Sequence, residues 1–274
     1  MTHFVPPGQV GIGLPRPYSE NLPSDRNLNY VTHRIPINTQ EWLEAWFIPA
    51  EATPKGTVLL FHGKGGTKAS QLLPSAQAIH ELGYSTWLVD FRGVGGSSGQ
   101  TSTLGIRESE DVAISLAYAQ DFAPNPPFVL YGISLGSVAV LKAASAGTVD
   151  ADALIVEQPF HSMVNAVRKR VAATKVPTFP LAELIVFWGS VQHGFNGFSH
   201  NPVHDAAQVS IPTLLLQGEK DQWTTMSEIK QIFDNLQGEK QLTTFPTAEH
   251  NLLISVDKEM WETSVRTWLK EISP

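Results

Sequence analysis

Apolar residues occur along this chain in two rhythms that alternate. Thr57-Val58-Leu59-Leu60-Phe61, Phe128-Val129-Leu130-Tyr131 and Thr213-Leu214-Leu215-Leu216 are short unbroken apolar runs. A strand covered on both faces reads this way, because neither face needs polar side chains. Between such runs, apolar residues recur every three or four positions: Leu72, Leu73, Ala76, Ile79 and Leu82, then Val112, Leu116 and Ala119. That spacing places them on one face of a helix. The two rhythms predict a hairpin at 29–37 and 41–49, with Trp42, Trp46 and Phe47 supplying apolar area. Strands follow at 57–61, 85–90, 128–133, 153–157, 212–217 and 241–245, and helices at 70–82, 107–120, 135–146, 225–236 and 258–272. Strands alternating with helices predict an α/β fold with a mostly parallel, doubly wound sheet of about eight strands.

One connection breaks the rhythm. Between the strands at 153–157 and 212–217 lie far more residues than an ordinary αβ loop needs, which predicts a short helical cap at about 160–208. Val164, Val167 and Val171 fit one amphipathic helix. Leu181, Leu184, Ile185 and Trp188 fit a second, which Val186 and Phe187 make apolar all round. Phe187, Trp188, Phe195 and Phe198 are expected to help form an apolar acyl or alcohol pocket; the alternative is that they are the cap's own core. The second helix also makes a homodimer an expectation. Arg168, Lys169 and Arg170 are too few for strong membrane-surface anchoring. Residues 1–28, with five prolines, three glycines and little periodicity, read as an extended arm before a domain at 29–274.

Chemistry enters at Gly132-Ile133-Ser134-Leu135-Gly136, where one polar residue between glycines joins a strand pattern to a helix pattern. This is the layout of a nucleophile elbow: a strained strand-to-helix turn that lifts a serine hydroxyl out of the sheet at a helix N-terminus. A serine hydroxyl is a weak nucleophile at neutral pH and needs a base, which in turn needs an orienting partner. Asp221 follows the strand at 212–217, and His250 lies in the loop after 241–245. Serine, acid and histidine thus stand beyond strand C-termini, the edge where open parallel sheets bind ligands. Glu157, at the end of its own strand, is the alternative acid, with Glu219 behind it. His62-Gly63-Lys64-Gly65-Gly66 follows the strand at 57–61, and its backbone N–H groups suit an oxyanion. The hole is assigned to the N–H groups of Lys64 and Leu135, with Gly63 as the alternative first donor. His62, Asp90 and Arg92 read as loop-fixing side chains.

The His62-Gly63 loop, Asp90 to Gly99, the elbow at Ser134, Pro159-Phe160-His161-Ser162, the Gly218-x-x-Asp221 turn and His250 occur in that order. Together they resemble the α/β-hydrolase superfamily of serine hydrolases, close to small single-domain bacterial esterases, over roughly residues 30–273. The resemblance implies the α/β-hydrolase fold and a Ser134–His250–Asp221 triad cleaving a carboxylic ester, with no metal and no organic cofactor.

The 274 residues are 42% hydrophobic, enough for a sizeable core, and carry a net charge of −7 with no basic run, which argues against nucleic acid as a partner. The partner expected is a small acyl substrate. The absence of cysteine excludes disulfides, thiolate metal sites and a cysteine nucleophile. His161, His193, His200 and His204 have no zinc-signature spacing. Neither a signal peptide nor a membrane span is read, so a cytoplasmic location is expected for the chain as given, secreted or anchored if an upstream leader was removed. An acyltransferase or an amidase or peptidase would use the same triad; a non-catalytic ligand-binding protein would keep only the fold.

Overall fold

In the computed structural model, which describes residues 19–272, the apolar runs become the central strands of one eight-stranded sheet. β1 (Val31–Pro36) and β2 (Trp42–Ile48) form the antiparallel hairpin. β3 (Thr57–Phe61) and β4 (Ser85–Val89) follow, then β5 (Phe128–Ile133), β6 (Ala153–Glu157), β7 (Thr213–Gly218) and β8 (Lys240–Phe245). The order across the sheet is β1-β2-β4-β3-β5-β6-β7-β8. β2 pairs antiparallel with β4, and every pair from β4 to β8 is parallel. This is the α/β-hydrolase fold expected from the sequence.

Strand periodicity divides the core between the two faces of the sheet. Leu59 and Phe61 of β3 join one apolar cluster, whereas Val58 and Leu60 join the other. Helices cover both sides. α1 (Leu73–Glu81) is entered through a wide π-type turn at Lys68–Leu72. α2 (Glu108–Phe122) and α3 (Leu135–Ser145) pack on the face of Leu59, through Val112, Leu116 and Ala139.

The segment expected to form the cap holds α4 (Met163–Ala173), α5 (Leu181–His193) and a short turn at Gly197–Ser199, followed by α6 (Pro202–Ala206). α7 (Met226–Asn235) shares the α2–α3 face through Ile229. After β8, α8 (Leu253–Val256) leads into α9 (Lys258–Glu271), whose Trp261 and Trp268 pack with Ile79 of α1 on the opposite face. Of the arm expected at 1–28, residues 1–18 lie outside the described residues; Pro23–Arg26 form a single 3₁₀ turn.

The sheet's parallel order fixes where chemistry can occur. β3, β5, β6, β7 and β8 all end on one edge, so the segments following them meet there.

Candidate active site

Ser134 sits between β5 and α3 with φ 52° and ψ −104°, a backbone conformation that side-chain-bearing residues rarely adopt. The fold holds it there from several directions. The Ser134 N–H donates to the Glu157 carbonyl (2.7 Å), and the Ser137 hydroxyl donates to the carbonyls of Gly132 (2.6 Å) and Glu157 (2.7 Å). Gly132 and Gly136 are required by close approach: a Cβ at Gly132 would lie 2.4 Å from the Gly136 backbone, and one at Gly136 would lie 2.3 Å from the Phe61 carbonyl oxygen. The hydroxyl therefore stands above the sheet at the start of α3, beside N–H groups that have no intrahelical acceptor.

The acid and the histidine arrive from β7 and β8. Gly218 lets the two following loops touch, since a Cβ there would meet the carbonyl oxygens of Ala248 and Glu249, both at 2.6 Å. The Glu219 N–H donates to the Phe245 carbonyl (3.0 Å) and the Lys220 N–H to that of Ala248 (2.9 Å), which ties the pair of loops in register. Asp221 Oδ2 then lies 2.7 Å from His250 Nδ1, and His250 Nε2 lies 3.0 Å from Ser134 Oγ. The carboxylate is itself oriented: the N–H groups of Trp223 (2.7 Å) and Thr224 (3.1 Å) donate to Oδ1, and Gln217 Nε2 donates to Oδ2 (3.2 Å). Burial alone would raise the Asp221 carboxyl. The hydrogen bond and charge of His250, with the two N–H donors, outweigh it and hold the group below its usual range.

Glu157, the alternative acid, is committed elsewhere. Fully buried under the serine, it accepts from the Tyr131 hydroxyl (2.6 Å), Trp261 Nε1 (3.1 Å) and the Leu253 N–H (3.0 Å). Burial raises its carboxyl despite these donors. It anchors α8 and α9 against β6 and so fixes the chain leaving His250. Glu219 accepts from the Thr244 hydroxyl (2.7 Å).

The loop after β3 lies against the serine: a Cβ on Gly63 would be 3.4 Å from Ser134 Cβ. His62 holds the loop. Its Nδ1 is 2.8 Å from the Gly63 carbonyl, and its Nε2 accepts from the Phe91 N–H (3.2 Å). Burial lowers its pKa, against the opposing charge of Asp90. Gln71, which nothing in the sequence singled out, accepts the Gly63 N–H through Oε1 (2.7 Å). Gly63 is thereby occupied, whereas no acceptor among the described residues takes the Lys64 N–H. Asp90 accepts from the Lys68 N–H (2.7 Å) and pairs with the Lys68 ammonium, and Arg92 pairs with Asp111 (2.7 Å), as expected of loop-fixing groups.

The four aromatics expected to help form the pocket are not buried. Phe187, Trp188 and Phe198 are exposed, the first two packing edge to face on each other, and Phe195 stacks on His193. The buried stripe of α5 is Ala182, Val186 and Ser190.

With this geometry stand the comparisons. The family model described as serine aminopeptidase, S33, matches residues 52–204. The chain belongs to this α/β-hydrolase family. A model described as PhoPQ-activated pathogenicity-related protein matches residues 198–273, the part that carries Asp221 and His250. Protein bem46 of Schizosaccharomyces pombe is 24% identical over 246 residues, covering 87% of this chain and 77% of its own length. Among solved structures, an esterase of Pyrococcus furiosus superposes with a TM-score of 0.77 at 20% identity, over 95% of this chain and 97% of that one. Est1E of Butyrivibrio proteoclasticus, with ferulic acid bound, gives 0.68 at 17% identity, over 87% and 98%. Family membership supports hydrolase activity.

Proposed function

We propose that the protein is a serine esterase in which Ser134 is the nucleophile, His250 the general base and acid, and Asp221 the residue that orients His250. The observation that carries this reading is the continuous path from Ser134 Oγ to His250 Nε2 (3.0 Å) and from His250 Nδ1 to Asp221 (2.7 Å). His250 Nε2 takes the hydroxyl proton as Oγ bonds to the substrate carbonyl carbon, while Asp221 keeps Nδ1 protonated and stabilises the imidazolium. The N–H groups of Leu135 and Lys64 meet the oxyanion. As the intermediate collapses, His250 returns the proton to the departing alcohol, leaving an acyl group on Oγ. His250 then deprotonates water, which attacks the acyl carbon; collapse releases the acid and restores Ser134.

Ser134→Ala and His250→Ala should each lower the rate on p-nitrophenyl butyrate by a factor on the order of 10⁴ or more, with unchanged circular dichroism. A fluorophosphonate probe should label the wild-type protein and not Ser134→Ala. Undiminished turnover by Ser134→Ala would overturn the assignment. The aminopeptidase description of the matching family supports a second reading, amide cleavage through the same acyl-enzyme. Turnover of matched p-nitrophenyl ester and p-nitroanilide substrates separates the two.

A further inference from the structure

Cations near the site fall into two groups. Lys68 is matched by Asp90 and Glu44, Arg168 by Glu183, and Lys169 by Glu228 together with the Trp223 carbonyl. Lys64 and Arg170 have no carboxylate partner among the described residues. Lys64 directly follows Gly63, the residue that abuts Ser134; it reaches solvent, while the protein packed around it removes part of its hydration. Arg170 uses one N–H on its own helix, donating to the Ala166 carbonyl (2.9 Å), and lays its guanidinium over the Trp223 ring, 5.4 Å from the centroid. The backbone N–H of Trp223 in turn donates to Asp221 Oδ1. Lys64 thus follows the residue next to Ser134, and Arg170 packs on the residue whose backbone N–H holds Asp221.

Burial lowers the pKa of both groups; the Arg170 charge lowers Lys64 further, and no carboxylate among the described residues pulls either back up. Two positive charges that feel each other, with no counter-ion among the described residues, repel, an arrangement that a bound anion relieves. The rest of the protein does not favour anions, its net charge being −7, so the attraction is local to this rim.

We propose that Lys64 and Arg170 form an anion subsite at the mouth of the Ser134 site, and that the esters cleaved there carry a carboxylate or phosphate group. This rests on the esterase reading for the cleavage step, but the subsite itself is a binding claim. The guanidinium offers a planar pair of donors to such a group and the ammonium a flexible point charge.

Two matched substrate pairs test it. The first compares p-nitrophenyl butyrate with mono-p-nitrophenyl glutarate, which places a carboxylate at the end of the acyl chain. The second compares 1-butyrylglycerol with 1-butyrylglycerol 3-phosphate, which places a phosphate on the alcohol. The charged member of at least one pair should be favoured by roughly tenfold in kcat/KM, and the responding pair locates the anion on the acyl or the alcohol side. Within each variant, Arg170→Met and Lys64→Met should cut that charged-to-neutral ratio by about fivefold, and Arg170→Lys should recover part of it. Equal rates within both pairs, or a ratio unmoved by both methionine variants, would overturn the subsite.

Calorimetric titration of Ser134→Ala with glutarate and with butyrate scores binding without turnover. Glutarate should bind the tighter, and the added Arg170→Met change should remove the difference; equal binding of the two acids counts against the subsite even if esterase activity is present. Conversely, tighter glutarate binding in a protein that hydrolyses no ester would retain the subsite and reject the esterase reading.

Discussion

At the scale of single residues, the candidate site depends on side chains that do no chemistry as much as on those proposed to do it. Gln71 is the clearest case. Its carboxamide oxygen takes the Gly63 N–H, which holds the loop against Ser134 and leaves the Lys64 N–H for an oxyanion. Gln71→Ala should therefore lower kcat roughly tenfold or more while KM and the thermal midpoint change little. Steady-state kinetics beside differential scanning calorimetry checks this; a lower midpoint with unchanged kcat would make Gln71 a purely structural residue. Ser134, His250 and Asp221, proposed here as nucleophile, base and acid, could be singled out in the sequence because those roles have restricted residue types and all three stand beyond apolar strands. Gln71 was not, because a glutamine in a helix entry has no distinguishing pattern; only the folded loop brings it to Gly63.

At the scale of elements, the elbow is a packing device. The turn from β5 into α3 brings backbone against backbone, and the methyl of a Gly132→Ala variant would lie 2.4 Å from Gly136. That change should cost about 2 kcal/mol or more in urea unfolding and also abolish ester turnover, because relief of the clash moves Ser134.

The cap has its own element-scale constraint at His200, buried where the Gly197–Ser199 turn meets α6, with Nε2 2.9 Å from the Leu104 carbonyl. Burial lowers its pKa to about 4, against a partly opposing hydrogen bond to Leu104. Unfolded, the same imidazole takes up a proton near pH 6.5. Between those values the unfolded chain binds a proton that the folded protein refuses. This contribution is therefore complete above about pH 6.5 and falls by on the order of 3 kcal/mol towards pH 4. Unfolding curves of wild type and His200→Gln should converge over that interval; parallel pH dependences would contradict it.

At the scale of the whole molecule, stability is distributed unevenly. α3 is buried along nearly its whole length between sheet and neighbouring helices, whereas α5 buries only Ala182, Val186 and Ser190 and leaves Leu184, Ile185, Phe187, Trp188 and Val191 exposed. Native-state hydrogen exchange should show amides of 181–193 opening at much lower free energy than those of 128–145. Equal protection of the two segments would mean that the cap unfolds only with the sheet.

The sequence by itself determined the architecture. β3, β5 and β6 occupy the residues expected of them, because strands buried on both faces must be continuously apolar. It did not report α6 and α8, which are too short for helical periodicity to show. Nor did it report which side of α5 faces inward, since a helix apolar all round carries no directional signal. That side was decided by close packing: Val186 and Ser190 meet Gly197, Ala182 is buried beside them on the same face, and Phe187 and Trp188 stay exposed. Tertiary structure also decided that Glu157 accepts from Tyr131, Trp261 and Leu253, and that neither Lys64 nor Arg170 has a carboxylate partner among the described residues. Local pattern encodes what each segment must bury; only the meeting of distant segments decides which polar groups are left to face a substrate.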